Sequence, residues 1–351
     1  MANTSSPQHR DSHRSLTRRS FGVLALGSFS ALALAACGSS NSSDSNASAS
    51  SASTSAKPAP SALPSGMGST AGDGEFPRTV KHFRGETKIE SAPKSVVILS
   101  TGQLDDVLAL GLVPIGAAAA NDADLVPEYL KTKFSDKSAE LDKIAKVGKR
   151  TEPDLGAIAN LHPDLILINN TNKKEEVYES LSKIAPTVVT EGTGHNWKQD
   201  FLMIASALGA TSKAEEMLKD YEDKATKLGE KAGKEKTFSF LYAAGDRTRV
   251  YAKSSFVGSI CEDASLSRPA VQQEGKTSID LSSENLDQAD GDYLFYGVQG
   301  GNESKLTSET LWESLKAVKE KHAHKVDSDM FYLNAGITAA LGVIEEIDKN
   351  I

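Results

Sequence analysis

The chain has 351 residues, with 39 Lys and Arg against 47 Asp and Glu, a formal net charge of −8 at pH 7 and two cysteines. So acidic a balance argues against a nucleic-acid partner, whose phosphates require a basic face. Two cysteines cannot build a disulfide framework, and this length is large for one core, so stability has to come from packing in more than one lobe.

In chain order, Arg10, Arg14, Arg18 and Arg19 precede a largely apolar run, Phe21 to Ala36, broken by Gly22, Gly27, Ser28 and Ser30. Basic, apolar and small residues in that order form an export signal, not a fold element. The run is shorter than the roughly 20 apolar residues of a bilayer span. Arg18-Arg19-Ser20-Phe21 resembles the twin-arginine export signal, without its usual lysine, and general secretion is the alternative route. Leu34-Ala35-Ala36-Cys37 resembles a lipobox. That resemblance implies a signal peptide over 1–36, acylation of Cys37 and anchorage on the outer face of the cytoplasmic membrane, at about 0.8 kcal/mol per buried methylene. Residues 37–75 hold the cysteine and a stretch dominated by Ser, Ala, Gly and Pro, which reads as a flexible tether. With Cys37 acylated, Cys261 has no disulfide partner.

Beyond Phe76, short aliphatic or β-branched runs at Val96–Leu99, Val113–Gly116, Leu165–Ile168 and Val188–Val189 alternate with helical stretches. The habit returns at Phe238–Tyr242, Arg249–Ala252 and Tyr293–Tyr296. Strands alternating with helices argue for parallel sheets. Between the two series, Ala214, Met217, Leu218, Tyr221, Ala225 and Leu228 recur at helical spacing, with Ser212 and Glu215 as a capping box. The expected fold class is α/β: two lobes with mainly parallel central sheets, at 76–210 and 235–351, joined by one long rigid helix at 211–234.

The segment PKSVVILSTGQLDDVLALGLVPIG from Pro93 resembles the opening of the siderophore, haem and cobalamin class of substrate-binding proteins, and VGKRTEPDLGAIANLHPDLILI from Val147 continues it. LSKIAPTVV, DFLMIASALGATSKAEEML, SSFVGSICEDASL and LWESLKAVKEKHAHKVDSDMFY follow in the family's order, over essentially the whole folded region. The resemblance implies two lobes with a shallow cleft and little hinge closure. It implies a monomer that captures a ferric siderophore, hydroxamate type, and hands it to an ABC permease and its ATPase. Haem or cobalamin binding is the alternative cargo. No cofactor is expected, because iron arrives inside the chelate.

Within that resemblance Arg150 matches the arginine of ferric hydroxamate binders that donates to the chelating oxygens, chemistry suited to a planar guanidinium fork. Tyr332 matches the segment that brings aromatics to the cleft from the second lobe, with Met330 where the hydroxamate binders have tryptophan. Arg247 and Arg249 flank a turn and, by strand alternation, share one face; Trp197 and Arg268 are further cleft candidates. The family docks each lobe on a permease arginine pocket through a glutamate. Glu262 matches the second-lobe position, while Gly156 replaces the first-lobe glutamate and leaves Asp154 or Glu152 as substitutes. His322 and His324 have no third ligand at metal-site spacing. No G-x-S-x-G, H-E-x-x-H or phosphate-cradling glycine loop is present, so a binding protein is expected in preference to a siderophore hydrolase.

Overall fold

The computed structural model describes residues 58–120, 124–301 and 303–351. The export signal and Cys37 lie outside them. A hairpin of β1 (Arg78–His82) and β2 (Gly85–Ile89) opens the first lobe. Its main sheet contains β3 (Val96–Ile98), β4 (Gly116–Ala119), β5 (Ala145–Lys149), β6 (Glu152–Pro153), β7 (Leu165–Asn169) and β8 (Thr187–Thr190), ordered β6-β5-β4-β3-β7-β8. All its pairings are parallel except β5 with β6 at the edge. Strands β3, β4, β7 and β8 are buried at every position, which is why three of them read as unbroken β-branched and aliphatic runs. The lobe's helices are α1 (Gln103–Ala109), α2 (Glu128–Lys133), α3 (Ser138–Leu141), α4 (Leu155–Asn160), α5 (Glu175–Ile184) and α6 (Trp197–Leu208).

The strand expected at Val113–Gly116 runs instead from Gly116 to Ala119. Gly-Ala-Ala-Ala has little intrinsic strand preference. The slot selects small residues: a Cβ on Gly116 would stand 2.6 Å from Leu161 and 3.1 Å from Val147.

The long helix is α7 (Thr211–Ala232), with Ala214, Leu218, Tyr221, Ala225, Leu228 and Ala232 buried along one stripe. At about 1.5 Å per residue it spans roughly 33 Å. Its start differs from the expected capping box. The N-cap position, Ala210, has no side-chain oxygen, and Asp73 accepts hydrogen bonds from the amides of Thr211 and Ser212 at 2.8 and 2.9 Å. The tether expected to reach Glu75 therefore ends earlier: Leu63 and Met67 pack on the cores, and Gly68 pairs with Lys81. Buried Arg78 donates to the carbonyls of Gly72, Glu75 and Ser206. Composition shows that this segment has no core of its own, but it borrows the lobe's.

The second lobe contains β9 (Phe238–Ala244), β10 (Arg247–Tyr251), β11 (Ser278–Leu281), β12 (Tyr293–Gln299) and β13 (Ala323–Lys325), ordered β11-β10-β9-β12-β13. Its centre, β9-β12-β13, is parallel, whereas β10 and β11 add antiparallel strands on one side. Helices α8 (Phe256–Asp263), α9 (Glu303–Thr307), α10 (Lys316–Lys319) and α11 (Ile337–Lys349) complete it.

Besides α7, the lobes are joined by a buried polar lock. Asp105 on α1 accepts from the amides of Thr338 and Ala339, at 2.8 and 2.9 Å, and from the Tyr129 hydroxyl at 3.0 Å. Asp106 accepts from the Ile337 amide at 3.3 Å. First-lobe carboxylates thus supply the acceptors that the start of α11 lacks, a favourable charge for a helix N-terminus. The approach needs glycine at Gly102, whose φ is +84°: a Cβ there would lie 2.1 Å from the Ala335 carbonyl oxygen.

Candidate ligand-binding cleft

Strands β3, β4, β5 and β7 end on the same side, and in parallel sheets the crevice beyond the carboxyl ends is where ligands bind. Here that crevice faces the second lobe. A cavity of ≈360 Å³ is lined by Ser100, Gly102, Asp124 and Arg150 from the first lobe and by Gln299, Asp329 and Asn334 from the second. Arg150 and Ser100 also line an adjoining space of ≈510 Å³ with Thr101, Asn172, Lys173 and Lys174. Thr101 and Asn169 continue into a narrower chamber of ≈170 Å³ that holds Gln103, Asp106 and Asp200.

Arg150 stands where the two larger spaces meet. Its Nη1 donates to Thr101 Oγ1, and its buried Nε has no partner among the described residues. Burial draws its pKa below the usual guanidinium value, opposed by the negative charge of Asp329 and by Tyr129. Gln103 Nε2 and Asn172 Nδ2 are likewise buried and unpartnered, with the Gln103 Oε1 held by the amides of Leu99 and Ser100. Each of these three side chains belongs to a residue that lines one of the cleft's cavities. Across it, the Tyr242 hydroxyl donates to Gln299 Oε1 at 2.8 Å, and the Arg249 guanidinium lies 5.8 Å from the Tyr242 ring centre.

The other candidates are placed differently. Tyr332 is buried, its hydroxyl donating to the Phe295 carbonyl at 2.8 Å and its ring packed on Tyr242 and Tyr251, and it is not among the residues that line the cleft cavities. Met330 turns into a separate ≈400 Å³ hollow with Tyr129, Phe134 and Met217. Trp197 is 1% exposed, donates to Ser259 Oγ at 3.1 Å and shows only part of its surface to the smallest chamber. Arg268 is buried beneath β10, donating to the Tyr251 carbonyl and to Gln272. Arg247 forms a bidentate ion pair with Asp280 on the exposed sheet edge, whereas the Arg249 guanidinium, two positions on, lies against the Tyr242 ring. These aromatic and arginine positions share strands with cleft residues, and which of them point outward is set by packing that no local pattern displays.

Sequence reasoning missed Thr101, Gln103, Asn172, Asp124, Asp329 and Gln299. The usable signal was position: Thr101 and Asn172 follow the ends of β3 and β7, where a parallel sheet exposes its loops. The docking candidates are all exposed. Glu262 lies in the last turn of α8 and pairs with Lys253 at 3.4 Å; Asp154 caps α4 through the Ala157 amide; Glu152 has no ion pair among the described residues. His322 and His324 lie along the aromatic face of Tyr293 and Phe295.

The Periplasmic binding protein family model matches residues 96–330. The chain belongs to that family. It is 34% identical over 289 residues to "Probable siderophore-binding lipoprotein YfiY" of Bacillus subtilis, a match covering 77% of this chain and 86% of that protein. With the iron(3+)-hydroxamate-binding protein FhuD of the same organism the identity is 28%, over 78% of this chain and 86% of the relative. Among solved structures, Staphylococcus aureus SirA complexed with staphyloferrin B superposes with a TM-score of 0.67 at 30% identity, covering 78% of this chain and 97% of SirA. Such neighbours share the family's two-lobed α/β architecture. Among the described residues, no helix of this family member is long and apolar enough to cross a membrane.

Proposed function

We propose that this chain is the extracytoplasmic binding protein of an ABC importer, anchored through Cys37, and that it captures a ferric siderophore of the hydroxamate class. The observation that carries the reading is the set of unpartnered buried donors, Arg150 Nε, Gln103 Nε2 and Asn172 Nδ2, around one interlobe cleft. A chelate whose iron is wrapped in partly anionic oxygens satisfies them, and binding of buried donors to charged acceptors is worth about 1.5–3 kcal/mol each. The names of the relatives, which include a siderophore-binding lipoprotein, an iron(3+)-hydroxamate-binding protein and an Fe(3+)-citrate-binding protein, support a ferric siderophore as the cargo. Haem and cobalamin fit less well. Residues lining the three cavities include no His, Met, Cys or Tyr to reach a metal axially.

The test is a fluorescence titration of the soluble domain, read through Trp197 beneath the cleft, with ferric hydroxamate, catecholate and hydroxycarboxylate chelates and haem. Saturable quenching by ferric hydroxamates at submicromolar concentration is expected. Tighter binding of haem than of every ferric siderophore would overturn the proposal.

A further inference from the structure

The cleft carries opposite charges at its two ends. From Arg150 in the middle, the ≈510 Å³ side presents Lys173 and Lys174, and the ≈360 Å³ side presents Asp124 and Asp329. Neither lysine forms an ion pair among the described residues, and neither does Asp124 or Asp329. Asp329 receives only a long contact from Asn334 Nδ2, at 3.4 Å. Its carboxyl is pushed above the usual range by burial and by the nearby charges of Asp327 and Asp124, with Arg150 offsetting part of this. Two carboxylates facing a cavity of ligand size, with Arg150 the cation on its lining, make the end away from Arg150 attractive to positive charge and repulsive to a negative arm.

We infer that the cargo is a ferric chelate bearing a protonated amine, with its oxygen-rich iron centre at Arg150 and its ammonium between Asp124 and Asp329. This rests on the siderophore reading above and narrows it. A trishydroxamate leaves its iron centre neutral, so one pendant ammonium makes the complex cationic and matches the acidic end. A triscatecholate, triply negative at iron, meets the same carboxylates unfavourably. Arg150 orients the chelate, and the acidic pair selects which end of it points toward Gln299 and Asn334.

The decisive comparison uses ferrioxamine B, a linear ferric trishydroxamate ending in a primary amine, and its N-acetylated form, in which that charge is absent and the iron centre unchanged. The parent protein is expected to bind the amine form about tenfold more tightly at low salt, equivalent to about 1.4 kcal/mol, and the ratio should shrink in high salt. In Asp329→Asn and, separately, in Asp124→Asn, the ratio should move toward one. Equal affinity of the parent for both forms overturns the inference while leaving the hydroxamate reading intact. A tenfold ratio that survives both substitutions removes these carboxylates as its cause and overturns the inference as well. If neither form nor any other ferric hydroxamate binds but a ferric catecholate or hydroxycarboxylate does, the inference and the hydroxamate class fail together. If no ferric siderophore binds, the functional proposal itself fails.

Discussion

At Arg150 the side chain is held by Thr101 at one nitrogen and left with an unpartnered Nε at another, so it is pre-positioned and still has a donor to give. Arg150→Ala is expected to weaken ferric siderophore binding by about 1.5–3 kcal/mol, roughly 10- to 100-fold, with the melting temperature nearly unchanged. Arg150→Lys should fall between, because it keeps the charge and loses the planar fork. Titration of the parent's preferred siderophore checks both; an unchanged Kd in Arg150→Ala would take the residue out of the site. Asp200, in the chamber below, offers a different measurement. Burial pushes its carboxyl up to about 7, against the ordinary 3.8, despite hydrogen bonds from the amides of Gly192 and Glu191. The folded state therefore holds this proton more tightly than the unfolded chain, and between about pH 4 and pH 7 its contribution to stability falls as pH rises, levelling above that window. His82, kept neutral by burial down to about 4 against the ordinary 6.5, acts in the opposite sense over most of the same range. The diagnostic is thus a difference: the urea midpoint of Asp200→Asn should lose less, or gain more, than the parent's on going from about pH 5 to about pH 8. Parallel pH profiles would show that Asp200 does not titrate in that range.

Among the elements, α7 shows how a correct periodicity can accompany a wrong cap. Its buried stripe was legible at 3.6-residue spacing, because an amphipathic helix must repeat that way to face a core. Its cap was not, since the acceptor, Asp73, comes from far upstream in a segment whose composition reads as unstructured. The Ser212 hydroxyl contributes by bonding to that same Asp73. Asp73→Ala should cost about 1 kcal/mol, a fall of roughly 2–4 °C in Tm, as loss of an N-cap does. Glu215→Ala, the change that would disrupt a capping box, should be near neutral. Thermal scans of the two variants distinguish the caps, and equal losses would favour the local box. Strand β4 makes the same point. Gly116–Ala119 was displaced in the sequence reading because small residues carry a weak strand signal, and the tight spacing to Val147 and Leu161 that demands them exists only after the sheet has formed.

For the whole molecule, α7, the Asp105–α11 lock and the α6–α8 bonds of Trp197 with Ser259 and Lys198 with Asp263 join the lobes, which opposes wide hinge closure and leaves recognition of the loaded form to the surfaces the lobes present. Glu262 is exposed on the second lobe, outside the cleft lining. On the first lobe, Glu152 has no ion pair among the described residues, Asp154 is engaged as a cap, and Leu155 is an exposed large hydrophobic residue beside Gly156. Glu262→Ala should keep siderophore affinity while strongly reducing uptake and ATPase stimulation in reconstituted transporter, since a carboxylate meeting arginine sets orientation as well as affinity. Radio-iron uptake at limiting siderophore measures it; normal uptake would show that docking uses other surfaces.

By itself the sequence determined what depends on near neighbours and on pattern: the alternation of strands and helices, the long amphipathic connector, the family resemblance and one cleft residue, Arg150, lying in a short loop after β5. Tertiary structure decided what depends on which side chains meet. It turned Tyr332, Trp197 and Arg268 inward, paired Arg247 with Asp280, brought Asp73 to α7 and set Asp124 and Asp329 opposite Lys173 and Lys174. The physical reason is range. Helical and strand periodicities act over a few residues, whereas burial, desolvation and charge opposition act between groups as far apart in the chain as Asp105 and Thr338, and no local pattern encodes which of two neighbouring arginines pairs with Asp280 and which lies against Tyr242.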